Sequence, residues 1–492
     1  MTTVHRVLPP EPVSSLDEHV RRRGGRGLEN ARAVEPEAVL DELEAAGLRG
    51  RGGAGFPTHR KWRAVVENRS EVIAPTVVVN GAEGEPGTFK DRTILLSDPY
   101  SVIEGALIAA RAVGADEVVF GLKASAPEVT RRVRAAVAEM DAAGWTDGVA
   151  VDVFEGPDEY LYGEETALLE ALDGRAPFPR LAPPFRRGVD EVVEHADDAT
   201  SGSGQSGHVE LAEPGNVTGA PPALVDNVET LANVPGILAR GGSWFRTEGT
   251  SDSPGTIVCT VTGSVQHAGV AEFMMGTPLR EVIDTISGGA LPGRRIVGVL
   301  PGVSNPILTE DQLDTPLSYE SMAAIGSGLG SGGFIVLDDH DDPVATVAGV
   351  SRFLAVESCG QCTACKQDGL SLSTQLEQLC RNDADDATMA AIHTELDRVT
   401  DGARCYLATQ QQVVVSSLFT SFAPAVDAHL RGTATAVDPA IVAELRDIEG
   451  GEAEIDLRHR DKQPDWTYDA VDSGQAPADR LGEHRVPQPL EG

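Results

Sequence analysis

Residues 357–366 read ESCGQCTACK, and this run constrains the fold more than any other part of the chain. Cys359, Cys362 and Cys365 are each separated by two residues. A metal site of tetrahedral character needs four donors. The fold must therefore bring a fourth ligand to the run from a distant element. Two cysteines lie downstream. Cys380 follows Leu376 and Leu379 on a predicted helix and reads as a core residue. Cys405 sits in DGARCYLATQ, just after Gly402, at a predicted break between helices where a side chain can turn toward a loop. We take Cys405 as the fourth ligand and read Cys259, inside an apolar strand, as core. Three clustered thiols closed by a remote one follow the logic of a cubane iron–sulfur cluster. Structural zinc sites more often use two separated pairs. Six cysteines among 492 residues do not form a disulfide scaffold.

The rest of the chain reads as strands alternating with helices, then a β-rich stretch, then helices. TVVVN (76–80), EVVFGLKA (117–124) and VAVDVFEG (149–156) are short β-branched runs. Helical segments at 101–115 and 126–144 separate them. Such alternation predicts an α/β layer with a parallel sheet. Residues 1–34 are polar and are expected to pack loosely, ahead of an α/β domain over 35–250. Within it, residues 186–216 turn acidic and then Gly/Ser-rich, as expected of a surface insertion. Residues 251–340 predict a small β-rich domain with one clear helix, TPLREVIDTISGG. Residues 341–445 carry apolar positions at helical spacing, and 446–492 are charged and expected to be disordered. There is no internal repeat.

Lys plus Arg total 40 and Asp plus Glu total 76, a formal charge of −36. That balance argues against a nucleic-acid binder, which needs a basic surface. No run of eighteen apolar residues predicts direct membrane insertion. The N-terminal arginines have no apolar run behind them, so we expect a cytoplasmic protein.

Two loops hold the candidate ligand contacts. GRGGAGFPT (50–58) has four glycines in six residues, which lets backbone N–H groups approach a planar or phosphorylated ligand. Lys61 is placed to neutralise a phosphate and Phe56 to stack on a ring. NGAEGEPGTFKDR (80–92) follows a predicted strand directly, and ligands of α/β folds gather at strand carboxyl ends. Asn80, Glu83 and Glu85 are thus candidates to accept hydrogen bonds from sugar or ribityl hydroxyls. YLYGEETALLEAL places Gly163, Glu164 and Glu165 at a helix start, where carboxylates also complement the helix dipole. VDNVETLANV places Asn227 and Thr230 at another, where capping is the structural alternative.

Taken in order, GLRGRGGAGFPTHRKW, NGAEGEPGTFKDR, YLYGEETALLEAL, PRLAPPF, DNVETLANV and ESCGQCTACK, with Cys405 beyond, resemble the flavin subunit of respiratory complex I. The same module occurs in NAD-dependent formate dehydrogenases and NAD-reducing hydrogenases. The resemblance spans about residues 35–430. It implies a Rossmann-like FMN domain, a β-grasp soluble-ligand-binding domain and a four-helix bundle with one [4Fe–4S] cluster. It implies that Gly50, Arg51, Gly53, Lys61, Asn80, Gly163, Glu164, Asn227 and Thr230 hold FMN. NAD(H) would lie over the flavin near Phe56, Glu83, Glu85, Tyr160, Glu165 and Phe185. Glu83 and Glu165 would orient the rings and tune the flavin. Cys359, Cys362, Cys365 and Cys405 would hold the cluster.

The mechanism that follows converts a two-electron donor into one-electron carriers, with flavin between nicotinamide and cluster. It also implies a partner, a thioredoxin-like [2Fe–2S] protein, and a further redox subunit. The sequence departs from the family pattern at four positions. Ala82 replaces an aspartate, Ala182 a lysine or arginine, Ala64 an aromatic, and Asp226 the first of two asparagines. These changes thin the nucleotide contacts. They raise the alternative of a flavin and cluster module that does not use NAD(H).

Overall fold

Val77, Val78 and Val79 are fully buried, and they anchor the middle of a four-stranded parallel sheet. The computed structural model describes residues 3–70, 73–188 and 221–483. The sheet's strands are β1 (Thr76–Gly81), β2 (Glu117–Lys123), β3 (Ala150–Gly156) and β4 (Ala223–Asn227), in the spatial order β3-β2-β1-β4. All three ladders are parallel. The helices Pro99–Val113 and Pro127–Ala142 make the crossovers between the first three strands, and Val228–Arg240 follows the fourth. A strand covered on both faces reads as a continuous apolar run, as β1 does. Strand order reverses at β1: the chain steps outward through β2 and β3, then returns to place β4 on β1's other side. The carboxyl ends of β1 and β4 therefore flank a crevice at a topological switch point.

A second sheet has five strands: β5 (Thr256–Gly263), β6 (Gly269–Met274), β7 (Ile296–Leu300), β8 (Leu308–Thr309) and β9 (Gly333–Asp338), in the order β6-β5-β9-β7-β8. Only β5 and β9 pair in parallel there. The helix Leu279–Ser287 buries Leu279, Val282 and Ile283 in the same core as Ile257, Val261 and Val336. Beyond it, the helices Pro343–Glu357, Thr363–Cys380, Asp386–Arg398 and Leu407–Ser421 pack around Val350, Leu354, Leu372, Leu376 and Val414. Cys259 and Cys380 are both buried in apolar surroundings, where their neighbours in sequence put them.

Two expectations are overturned. The N-terminal segment is not loose. Its helices Leu16–Arg21 and Arg26–Ala33 lie on the sheet's helices, with Leu28 and Ala31 buried. Gly27 and Ala31 form a small-residue step that lets two helices close up: a Cβ on Gly27 would sit 2.5 Å from the carbonyl oxygen of Pro235. Further upstream, Glu272 accepts from the backbone N–H groups of Arg6, Val7 and Leu8.

The C-terminal segment is not disordered through residue 483. It forms an antiparallel hairpin, β10 (Leu445–Glu449) and β11 (Glu452–Ile455), and then buries Trp466. Its charges mislead because several are internal: Lys462 and Asp465 are buried and paired. Of the expected insertion, residues 189–216 lie outside the described residues.

Candidate functional site

The glycine loop is folded back on itself. The Gly50 N–H donates to the Phe56 carbonyl at 2.8 Å. Gly53 and Gly55 take φ of 122° and 63°, left-handed values that favour glycine. Tyr319, from the five-stranded domain, braces the loop: its hydroxyl donates to the Gly50 carbonyl at 2.7 Å, and a Cβ on Gly55 would strike its ring. The loop forms one wall of a cleft of about 690 Å³, well within the range of nucleotide and cofactor pockets. Facing it are the ends of β1 and β4, the turn at Tyr160–Gly163, residues 304, 305, 330 and 331 of the second domain, and Cys405–Leu407 with Gln410. A side chain at Gly163 would project to within 2.9 Å of the Ala82 carbonyl. Backbone rather than side chain thus shapes much of the wall, as a flat ring system requires.

Of the residues picked from sequence, Gly50, Gly53, Phe56, Lys61, Asn80, Glu83, Glu85, Tyr160, Gly163, Glu164, Glu165, Asn227 and Thr230 all line this cleft. Arg51 and Phe185 do not. Arg51 is buried behind the loop, where its guanidinium donates to the carbonyls of Thr256, Pro254 and Arg49. It fastens the glycine loop to the start of β5. Phe185 packs against the core of the parallel sheet.

Many of the polar groups that line the cleft hold the protein to itself. Asn80 donates to the Gly163 carbonyl at 2.9 Å. Glu83 accepts from the N–H of Asp91 and the guanidinium of Arg92. Glu164 caps the helix Glu165–Leu172 by accepting from the N–H groups of Thr166 and Ala167, both at 2.9 Å. Asn227 caps the helix Val228–Arg240 and also bonds Lys90 and Asp91. Thr230 accepts from the Arg51 N–H at 2.8 Å.

Lys61 is paired with Glu165 and lies 3.7 Å from Asp226. Burial lowers its pKa, but the two carboxylates outweigh that and leave it raised. Burial pushes Asp226 up, against Lys61 and the Trp62 indole N–H at 2.6 Å. Burial likewise pushes Glu85 up, against donation from Ser304, Tyr160 and the Val303 N–H. The amide of Gln410 then donates to both Tyr160 and Ser304 at 3.0 Å. Glu85 thereby ties together all three parts of the molecule. Asp91, Ser304, Asn305, Ser331 and Gln410 were missed from sequence. The segment GSGLGSGG (326–333) was the available signal for one of these walls.

Cys359, Cys362, Cys365 and Cys405 line a second, smaller pocket, walled by Leu161, Pro179 and Leu407. The first three come from the loop between two helices and the start of the helix Thr363–Cys380. Cys405 arrives from the turn before Leu407–Ser421. Burial raises the Cys359 thiol, and pushes Cys365 up to about 11 and Cys405 up to about 12. Thiols so placed become ligands when metal charge replaces the lost hydration. Among the described residues no three His, Cys, Asp or Glu groups are arranged to hold a single metal ion. Ser358 lies 3.3 Å from the Cys365 sulfur, and the Gln361 amide donates to the Cys359 sulfur at 3.5 Å. Cys405, Leu161 and Leu407 line both pocket and cleft, so the two sites share a wall.

Residues 43–236 match the Nuo51 FMN-binding domain, and residues 345–429 the NADH-ubiquinone oxidoreductase-F iron-sulfur binding region. A subunit of the NADH-quinone oxidoreductase of Streptomyces coelicolor is 34% identical over 87% of this chain and 90% of its own length. The chain belongs to the family of NADH-quinone oxidoreductase subunits that carry the Nuo51 FMN-binding domain. A second relative, the NADP-reducing hydrogenase subunit HndC of Solidesulfovibrio fructosivorans, is 32% identical over 85% of this chain and 81% of its own. A solved NAD+-reducing [NiFe]-hydrogenase chain in the H2-reduced state superposes with a TM-score of 0.69 at 31% identity. The match covers 82% of this chain and 64% of that one. As a member of the Nuo51 family the protein is an oxidoreductase subunit with FMN and [4Fe–4S] cofactors. Its relatives are parts of larger assemblies, which implies redox partner subunits. The alternative of a module without NAD(H) finds no support among them. Among the described residues no single helix is long and apolar enough to cross a membrane.

Proposed function

We propose that this subunit exchanges a hydride with NAD(H) in the glycine-walled cleft and passes single electrons to a cluster held by Cys359, Cys362, Cys365 and Cys405. The observation that carries this reading is the shared wall: Cys405 and its neighbour Leu407 border both cavities. Bound flavin supplies the change from two-electron to one-electron chemistry. The chain's own residues supply the rest. Gly50, Gly52 and Gly53 offer backbone at close range to a ring and its substituents. The first turn of the helix Val228–Arg240, at Asn227 and Thr230, presents a helix dipole to an anionic phosphate. Lys61 is positioned by Glu165 and Asp226 to add a cation beside it. Phe56, 54% exposed at the cleft, offers a stacking face to a second ring. Glu85 and Tyr160, bonded at 2.6 Å, stand ready to orient a polar substituent. Leu161 and Leu407 supply apolar surface where the two sites meet.

Of the positions thinned relative to the family, Ala82 is in the cleft wall, while Ala64 and Ala182 are not among its lining residues. We read the five-stranded domain as a β-grasp and the cysteine-bearing helices as a four-helix bundle. The electron partner would be a thioredoxin-like [2Fe–2S] protein leading to a further redox subunit. An anaerobic NADH titration, followed by visible absorbance and electron paramagnetic resonance, tests the reading. Bleaching of the flavin band and growth of a reduced-cluster signal are expected. Flavin-loaded protein that stays unbleached at millimolar NADH and NADPH would refute it.

A further inference from the structure

The segment beyond residue 429 lies outside both family matches, yet it reaches the cysteine loop and the helix ends beside it at five places. The Ala478 N–H donates to the carbonyl of Cys359 at 2.9 Å. The Trp466 indole N–H donates to the Val356 carbonyl at 3.0 Å, and its ring meets Phe178 edge-on at 5.5 Å, one residue from the pocket-lining Pro179. Lys462 and His459 close on Glu357, at 2.6 and 3.1 Å, and that glutamate is the last residue of the helix leading into the loop. The carbonyl of Pro464 completes a cage around the Lys366 ammonium, which also donates to the carbonyls of Ala355, Val356 and Ser358. Trp466 holds φ of 67°, a left-handed value that a bulky residue keeps only where its surroundings over-determine it. Gly360, with φ of 83°, sits so close beneath Ala476 that a side chain there would collide with it.

We propose that residues 456–480 are a clamp that positions the cysteine loop and retains the iron–sulfur cluster, with Trp466, Lys462 and the Ala478 N–H as its positioning groups. The inference rests on the assignment of the cluster to the four cysteines. Its physical basis is loop entropy. Three ligands on one short loop hold a cluster well only if the loop cannot open, because each opening exposes the sulfurs to water and chelators. The clamp nears the flavin cleft at Tyr160 and Gly84, which border a small cavity with His459 and Lys462, and the Tyr160 N–H donates to the Glu357 carboxylate at 3.1 Å.

The test uses the full chain, purified anaerobically, with Trp466→Ala and Ala478→Pro variants beside it. The readouts are the rate of iron loss to an Fe(II) chelator, the electron paramagnetic resonance of the dithionite-reduced cluster, and flavin content. Iron loss faster by about tenfold, the lower end of what supporting contacts around metal ligands provide, is expected with flavin content unchanged. A shifted reduced-cluster spectrum is expected alongside it, which a merely structural role would not produce. Should Trp466→Ala shed flavin together with iron, Ala478→Pro decides, because it removes the N–H that donates to the Cys359 carbonyl, at the second position of a short helix that already starts with Pro477. Equal rates and identical spectra in wild type and Ala478→Pro overturn the clamp. A wild-type chain that carries no iron overturns the cysteine assignment itself, and the clamp with it.

Discussion

The cleft we assign to flavin and the pocket we assign to the cluster share a wall but are built by opposite means. The cleft is wide, about 690 Å³, set with many polar side chains, and contributed by all three parts of the chain. Its polar residues are mostly committed to one another: Asn80, Glu83, Glu164 and Asn227 each bond the protein's own backbone. The pocket is small and mostly apolar in surface, and three of its four thiols come from seven consecutive residues. The difference teaches where specificity resides. A ring is recognised by the shape of a backbone surface, so the cleft's side chains serve to hold that surface rigid. A cluster is recognised by covalent donors, so the pocket needs few residues but must keep them from moving apart.

The comparison is most easily broken at the shared wall. Cys405→Ala should abolish the reduced-cluster signal while flavin absorbance survives, because flavin contact there is one of many. Loss of flavin with the cluster, measured by extraction, would mean the two sites are one unit. Next in size is Lys61→Met. It leaves Asp226 and Glu165 without their cation, and breaking such a partly buried pair costs about 3 kcal/mol. Thermal unfolding should register that loss, with the cluster spectrum unmoved.

Gly55→Val should weaken flavin binding by about 2 kcal/mol, the cost of a left-handed β-branched residue. That is about thirtyfold in Kd, read by flavin fluorescence, again with iron unchanged. The smallest effect is a pH slope from Glu85. Burial raises its folded pKa above the unfolded value. The folded state then binds more protons, so stability is greatest below the unfolded pKa and falls as pH rises through the folded one. Glu85→Gln should flatten that decline in unfolding curves taken from pH 4 upward.

Legibility in the sequence followed the same divide. That four thiols gather at one pocket was readable because spacing along one loop is spacing in space, and because Gly402 marks the helix break that frees Cys405. The parallel sheet was readable from the β-branched runs of β1 and β2. Arg51 was misplaced because an arginine in a glycine loop looks like an anion contact, whereas three carbonyls draw it inward. Ser304 and Gln410 were invisible because they belong to other domains that only folding brings to the cleft, and Ser331 was signalled only by its glycine-rich run. The C-terminal charges suggested disorder because composition counts Lys462 and Glu357 singly, not as a pair at 2.6 Å.

The sequence by itself determined what depends on neighbours: the strand and helix pattern, the glycine-rich turn, and the thiols that a metal cluster needs. Only the tertiary structure decided which polar groups face a ligand and which brace the scaffold, and that the C-terminal segment returns to grip the cysteine loop. Many of those outcomes depend on contacts a hundred residues or more apart. They are set by which buried donor finds which acceptor, and no local pattern encodes that pairing.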